Sequence, residues 1–107
     1  MTFEIRKSSI FARHLNSLSK RFHLSKPEAL LVLDEIEEAT KLLAEYGTLP
    51  DEYGYNLHTL RDEPWLGYME FHIADDILVL YFNRLDKQVI RLVGIYNHEM
   101  LRMGKID

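Results

Sequence analysis

Apolar residues recur along this chain with a helical period in its first half and with a period of two in its second. Thr2-Phe-Glu-Ile-Arg6 alternates and predicts a short first strand. Phe11, Leu15, Leu18 and Phe22 then follow i, i+4, i+7 and i+11. That spacing predicts one helix with a single buried stripe, capped by Ser8 or Ser9 and running to about Phe22. Ser25-Lys-Pro-Glu28 reads as a capping box with proline in the first turn. It opens a longer helix to about Tyr46. Ala29, Leu33, Ile36 and Leu43 form its buried stripe, Asp34, Glu35, Glu38 and Glu45 its wet face, and Gly47 its C-cap.

The turn residues of Leu49–Asn56 mark a loop. Beyond it the pattern predicts strands over 65–74, 77–83 and 88–96, with room for a small strand near 57–61. Turns fall at Ala74-Asp75-Asp76 and across Asn83–Lys87, and Asn97–Asp107 reads as a polar end with one helical turn. Within 65–74, alternation points Trp65, Met69, Phe71 and Ile73 to a core and Tyr68, Glu70 and His72 the other way. Helices gathered before a run of strands imply an α+β domain, with a helix pair on one face of a mostly antiparallel sheet. The other face is expected to stay uncovered. The 107 residues suit one domain spanning 1–107, without repeats or linkers.

Charge sharpens this picture. The net charge is −4, but it is unevenly spread. Arg6, Lys7, Arg13, Lys20, Arg21 and Lys26 oppose only Glu4 in residues 1–26, a balance of +5, whereas residues 27–53 stand at −7. Overall acidity argues against strong non-specific nucleic-acid binding, while a local basic patch can still meet phosphates. The chain has no cysteine, which removes disulfides and thiolate chemistry and fits a reducing compartment. No apolar run approaches a membrane span and no signal-peptide pattern opens the chain, so the expectation is a cytoplasmic protein without membrane contact.

Candidate chemistry gathers in the second half. His72 ends a strand on the polar face, His98 lies just past the last strand, and His58 sits beside the loop entering the sheet. Imidazoles titrate near ~6.5 and can move protons at neutral pH, although each alone also suits a solvated surface. His14 and His23 read as surface residues of the helical half. Asp75 and Asp76 are turn formers, either of which can also orient a histidine. Tyr53, Tyr55, Trp65 and Tyr68 offer rings for base stacking or for core. A His-Glu-x-x-His zinc spacing, a glycine-rich phosphate loop and a G-x-S-x-G elbow are all absent. Acid–base chemistry without metal or cofactor, or no chemistry, remains.

Leu49-Pro50, His58-x-Leu60, Trp65-x-Gly-Tyr68, His72-x-x-x-Asp76 and His98-x-x-Leu101, with Phe11-x-Arg13-x-Leu15-x-x-Leu18-x-Lys20-Arg21 ahead of them, resemble the YafQ branch of the RelE superfamily. The resemblance implies a RelE-like fold and a type II toxin–antitoxin toxin, a ribosome-dependent endoribonuclease that cuts mRNA in the A site and is neutralised by an antitoxin. It implies catalytic roles for His58, His72, Asp76 and His98. His72 would activate the 2′-hydroxyl, His98 would protonate the leaving oxygen, and Asp76 and His58 would orient or stabilise. Arg61, Arg91, Arg102, Lys20, Arg21, Trp65 and Tyr68 are the candidates for holding RNA or its phosphates. The chain departs from the family twice. The arginine expected four residues before the late histidine is Gly94, and the late aromatic is Leu101 or Arg102. A RelE-fold module that binds antitoxin with weak or no catalysis is therefore the alternative.

Overall fold

The computed structural model describes residues 2–61, 63–74 and 76–104. Strand β1 (Glu4–Lys7) leads into helices α1 (Ser9–Asn16), α2 (Leu18–Phe22) and α3 (Lys26–Tyr46). Strands β2 (His58–Thr59), β3 (Met69–Ala74), β4 (Ile77–Arg84) and β5 (Val89–Tyr96) follow, and then helix α4 (His98–Arg102). Among the described residues the strands form one sheet in the order β1-β5-β4-β3-β2. Every pairing is antiparallel except β1 with β5. The chain passes from β1 through the helices to β2 at the far edge and returns by the β3–β4 meander to β5. This connection has no hairpin between β1 and β5, which leaves that pair parallel.

The helix expected from Ser9 to Phe22 breaks at Ser17. Its hydroxyl donates back to the carbonyls of Arg13 at 2.8 Å and His14 at 3.4 Å. Its backbone leaves the helical region at φ −125°, as serine does when its side chain competes with the helix ladder. The stripe survives the break: Phe11, Leu15, Leu18 and Phe22 all join the main core. The α3 cap forms as read, with Ser25 N–H donating to Glu28 Oε1 at 2.8 Å and Glu28 N–H to Ser25 Oγ at 3.2 Å. Gly47 closes α3 at φ 72° over the ring of Phe3, where a Cβ would collide. Asn83 then ties the end of β4 to this cap, donating to Gly47 O at 2.9 Å.

The main core lies between the helices and one sheet face. Phe11, Ile36, Leu43, Phe71, Val79, Tyr81, Ile90 and Ile95 are all but fully buried there. Two expectations need correction. Trp65 does not share a face with Met69 and Phe71, because β3 begins only at Met69. Residues 63–67 turn, with Gly67 at φ 87° and Tyr68 N–H donating to Trp65 O at 2.9 Å, so alternation does not carry back to Trp65. Nor is the second face bare. Trp65, Leu80 and Tyr96 form a second, smaller core there, flanked by Leu60, Tyr68, Val93, Met100 and Leu101.

His14, expected at the surface, is buried at 3% exposure. Strand β1 covers β5 only as far as Leu92. Past that point side chains from the first helices complete the edge. Ser8 Oγ donates to Val93 O at 2.7 Å, His14 Nδ1 accepts from Ile95 N–H at 3.0 Å, and Arg21 Nε donates to Ile95 O at 2.9 Å. Buried backbone groups need partners, so the register of β5 fixes what residues 8, 14 and 21 must be able to do.

Candidate active site

On the second sheet face the strands align side chains in rows. His72 pairs with Leu78, which pairs with Tyr96, and Glu70 pairs with both His58 and Leu80. Thus β2 and β3 bring His58 and His72 together, with ring centroids 5.9 Å apart. His98 reaches the same spot from the first turn of α4, its ring centroid 5.4 Å from that of His72. The Asn97 side chain starts this helix by accepting from Met100 N–H at 2.8 Å. The pairing of β3 with β4 shifts between His72 and Ala74, an irregularity of the kind that re-aims side chains beside sites.

Asp76 fixes His98 at two points. One carboxylate oxygen accepts from the His98 backbone N–H at 2.9 Å and meets its Nδ1 at 2.6 Å. The backbone bond from His98 leads in holding the Asp76 carboxyl below the usual carboxylate range, against desolvation and with help from the ring contact. An ionised Asp76 only accepts, so Nδ1 carries the proton and Nε2 is left as the working nitrogen. The Asp76–His98 pair is well exposed. His72 is half-buried, and its Nδ1 is turned inward without a hydrogen-bond partner among the described residues. Its backbone is anchored by donation to Tyr55 O at 2.8 Å. Asp75 lies outside the described residues.

Four expected residues, His58, His72, Asp76 and His98, therefore converge. The expected cations and rings divide. Trp65 is buried, and its Nε1 donates to Leu101 O at 3.1 Å, so it braces α4 and offers no stacking face. Arg21 is held over the Tyr96 ring, with its Cζ 5.4 Å from the centroid and a terminal nitrogen 3.4 Å from Met100 Sδ. Arg102 stands 3.9 Å from Glu99. Lys20 and Arg61 are exposed. Gly94 is filled from its own strand: the ring of Tyr96 lies where a Cβ at 94 would begin.

Arg91 belongs to something the sequence did not reveal. A groove of about 750 Å³ continues along the same face, lined by Arg6, Lys7, Arg84, Lys87 and Arg91 beside Tyr68 and Phe82. Those two rings meet edge to face at 5.3 Å. Arg6 is paired with Glu4, and Arg84 lies 3.5 Å from Asp86. Residues so far apart along the chain meet only because β1 pairs with β5, and charge runs alone could not show that. Glu70 was also missed. It pairs with His58 and is buried at 8% exposure, on the face that strand alternation left uncovered.

The family described as "Bacterial toxin of type II toxin-antitoxin system, YafQ" matches residues 3–103. Among solved structures, YafQ from E. coli strain BL21(DE3) is 22% identical, with 92% of this chain and 97% of that chain covered at a TM-score of 0.67. The E. coli DinJ–YafQ toxin–antitoxin complex matches with 22% identity, 94% and 98% coverage and a TM-score of 0.67. The RelE–RelB complex of the archaeon Pyrococcus horikoshii OT3 matches with 20% identity, 91% and 96% coverage and a TM-score of 0.65. These likenesses show the fold. No curated protein matches significantly. With the family's pattern running through nearly the whole length, this chain belongs to the YafQ family of bacterial type II toxin–antitoxin toxins.

Proposed function

We propose that this toxin is an endoribonuclease that cuts mRNA on the ribosome, with proton transfers carried by histidines and an aspartate. The observation that carries the reading is the convergence of His58, His72 and His98, with His98 gripped by Asp76. Cleavage of RNA by its own 2′-hydroxyl needs a base and an acid on either side of one phosphate. His72 takes the proton of the 2′-hydroxyl as that oxygen bonds to phosphorus. The bond from phosphorus to the 5′-oxygen breaks, and His98 Nε2 gives that oxygen a proton. The products are a 2′,3′-cyclic phosphate and a 5′-hydroxyl. Asp76 keeps the Nδ1 proton in place and stabilises the imidazolium, while His58 packs against His72 and supports it. Two rings 5.4 Å apart at their centroids can address two oxygens of one phosphodiester. The basic groove leads the flanking phosphates toward them, with Tyr68 and Phe82 as its aromatic floor. The partner that silences the toxin is a cognate antitoxin.

The test is to incubate the purified protein with end-labelled mRNA, free and on programmed ribosomes. The expected result is cleavage with 2′,3′-cyclic phosphate ends that His72→Ala and His98→Ala abolish. Arrest of translation that survives both substitutions rejects the acid–base scheme. A second reading is favoured by one observation, the filling of the Gly94 position by Tyr96. It is a toxin-fold module that binds antitoxin without cutting RNA, and intact mRNA on ribosomes beside tight antitoxin binding would establish it.

A further inference from the structure

A groove of about 610 Å³ runs between α3 and the ends of β3 and β4, on the opposite side of the sheet from the basic groove. Leu31, Val32, Ile73 and Ile77 make its apolar floor and wall. Leu31 is 66% exposed, on a helix whose other apolar stripe is already buried in the core. The rim carries Glu28, Asp34, Glu35 and Glu38, and among the described residues no lysine or arginine lines it. Leu31, Asp34, Glu35 and Glu38 stand at i, i+3, i+4 and i+7, so one stripe of α3 presents an aliphatic anchor flanked by carboxylates. The Glu28 carboxylate is spent on the helix cap and Glu35 meets the Tyr55 hydroxyl, which leaves Asp34 and Glu38 to meet a partner.

We propose that this groove seats a segment of the cognate antitoxin that carries an aliphatic residue flanked by lysines or arginines. The proposal rests on the toxin reading above. Charge complementarity selects the occupant. An apolar floor needs an apolar side chain, carboxylates on the rim need cations, and phosphates of RNA are repelled. Position adds a consequence. Ile73, Ala74 and Ile77 flank the turn that carries Asp76. A partner seated here presses on the root of the Asp76–His98 contact without covering the imidazoles.

The test measures binding of the purified cognate antitoxin to the full chain at low and at high salt. Asp34→Lys/Glu38→Lys is expected to weaken binding by about tenfold or more, with the loss largest at low salt. Leu31→Ser is expected to weaken it at both salts alike. Reversing two basic residues of the antitoxin segment should restore the affinity of the Asp34→Lys/Glu38→Lys protein. Binding within twofold of the original for both variants overturns the groove proposal and leaves the toxin reading standing. Self-association of the toxin alone in sedimentation, abolished by Asp34→Lys/Glu38→Lys while antitoxin binding is unchanged, assigns the groove to a second copy and also overturns it. Failure to bind any antitoxin overturns both.

Discussion

On the helical side of the sheet, Ile77, Val79 and Tyr81 of β4 meet α1–α3 in a dry core, and the groove at its margin is acidic. On the other side, Leu80 of the same strand supports only a small cluster with Trp65 and Tyr96, and Phe82 lies in a groove rimmed by five cations. The first side is built to hold the fold and the second leaves His58, Asp76 and His98 within reach of solvent. Under the proposed function, this segregation lets a chain of net charge −4 meet a polyanion on one side only. The excess negative charge sits largely on α3 and the loop after it, whereas arginines and lysines line the groove on the histidine face.

The comparison breaks most sharply at His98. His98→Ala is expected to lower the RNA cleavage rate by about 10²–10⁴-fold, with thermal unfolding unchanged because the side chain is exposed. An equal loss in both measurements would mean that the site face also holds the fold. Next comes Gly94→Arg. The new cation drives a side chain into Tyr96, and the expected result is a loss of about 1–3 kcal/mol in denaturant unfolding without a gain in activity. On the helical side, His14→Phe keeps the bulk but leaves Ile95 N–H without its side-chain acceptor. It should cost about 1–3 kcal/mol, and amide exchange at Ile95 should rise.

Arg84→Glu/Arg91→Glu should weaken RNA binding and flatten its salt dependence by about one log unit per lost phosphate contact, with antitoxin affinity read in parallel. The smallest effect concerns acid. The folded-state pKa of Asp76 is depressed. Its contribution is therefore complete above the ordinary carboxylate value of about 3.9 and is lost as pH falls through the lower folded value. Trp65 donates to Leu101 on α4, so its fluorescence reports that helix's docking. The signal should hold across neutral and mildly acidic pH and change only below about pH 4. A transition near pH 6 would assign control of α4 to an imidazole instead.

Local rules carried much of this architecture. The capping box at Ser25, the stop at Gly47 and the alternation of β3–β5 are short-range signals, and each formed where its chemistry stands. So did the convergence of His72 with His98, because a hairpin and the turn after β5 bring those positions to one end of the sheet. What the sequence hid was long-range. Nothing beside His14 in the chain says that β1 ends short of Ile95 and that an imidazole must complete the edge. The displacement of Trp65 to the second face depends on turns before Met69 that interrupt strand parity. The basic groove needs the parallel pairing of β1 and β5, and no periodicity within either strand encodes that partner.

The tyrosine ring lying over Gly94 also constrains how this toxin can change over generations. A single substitution to arginine at 94 enters an occupied volume, so a cation there requires position 96 to shrink first. Tyr96 works as a ratchet against a larger residue at 94.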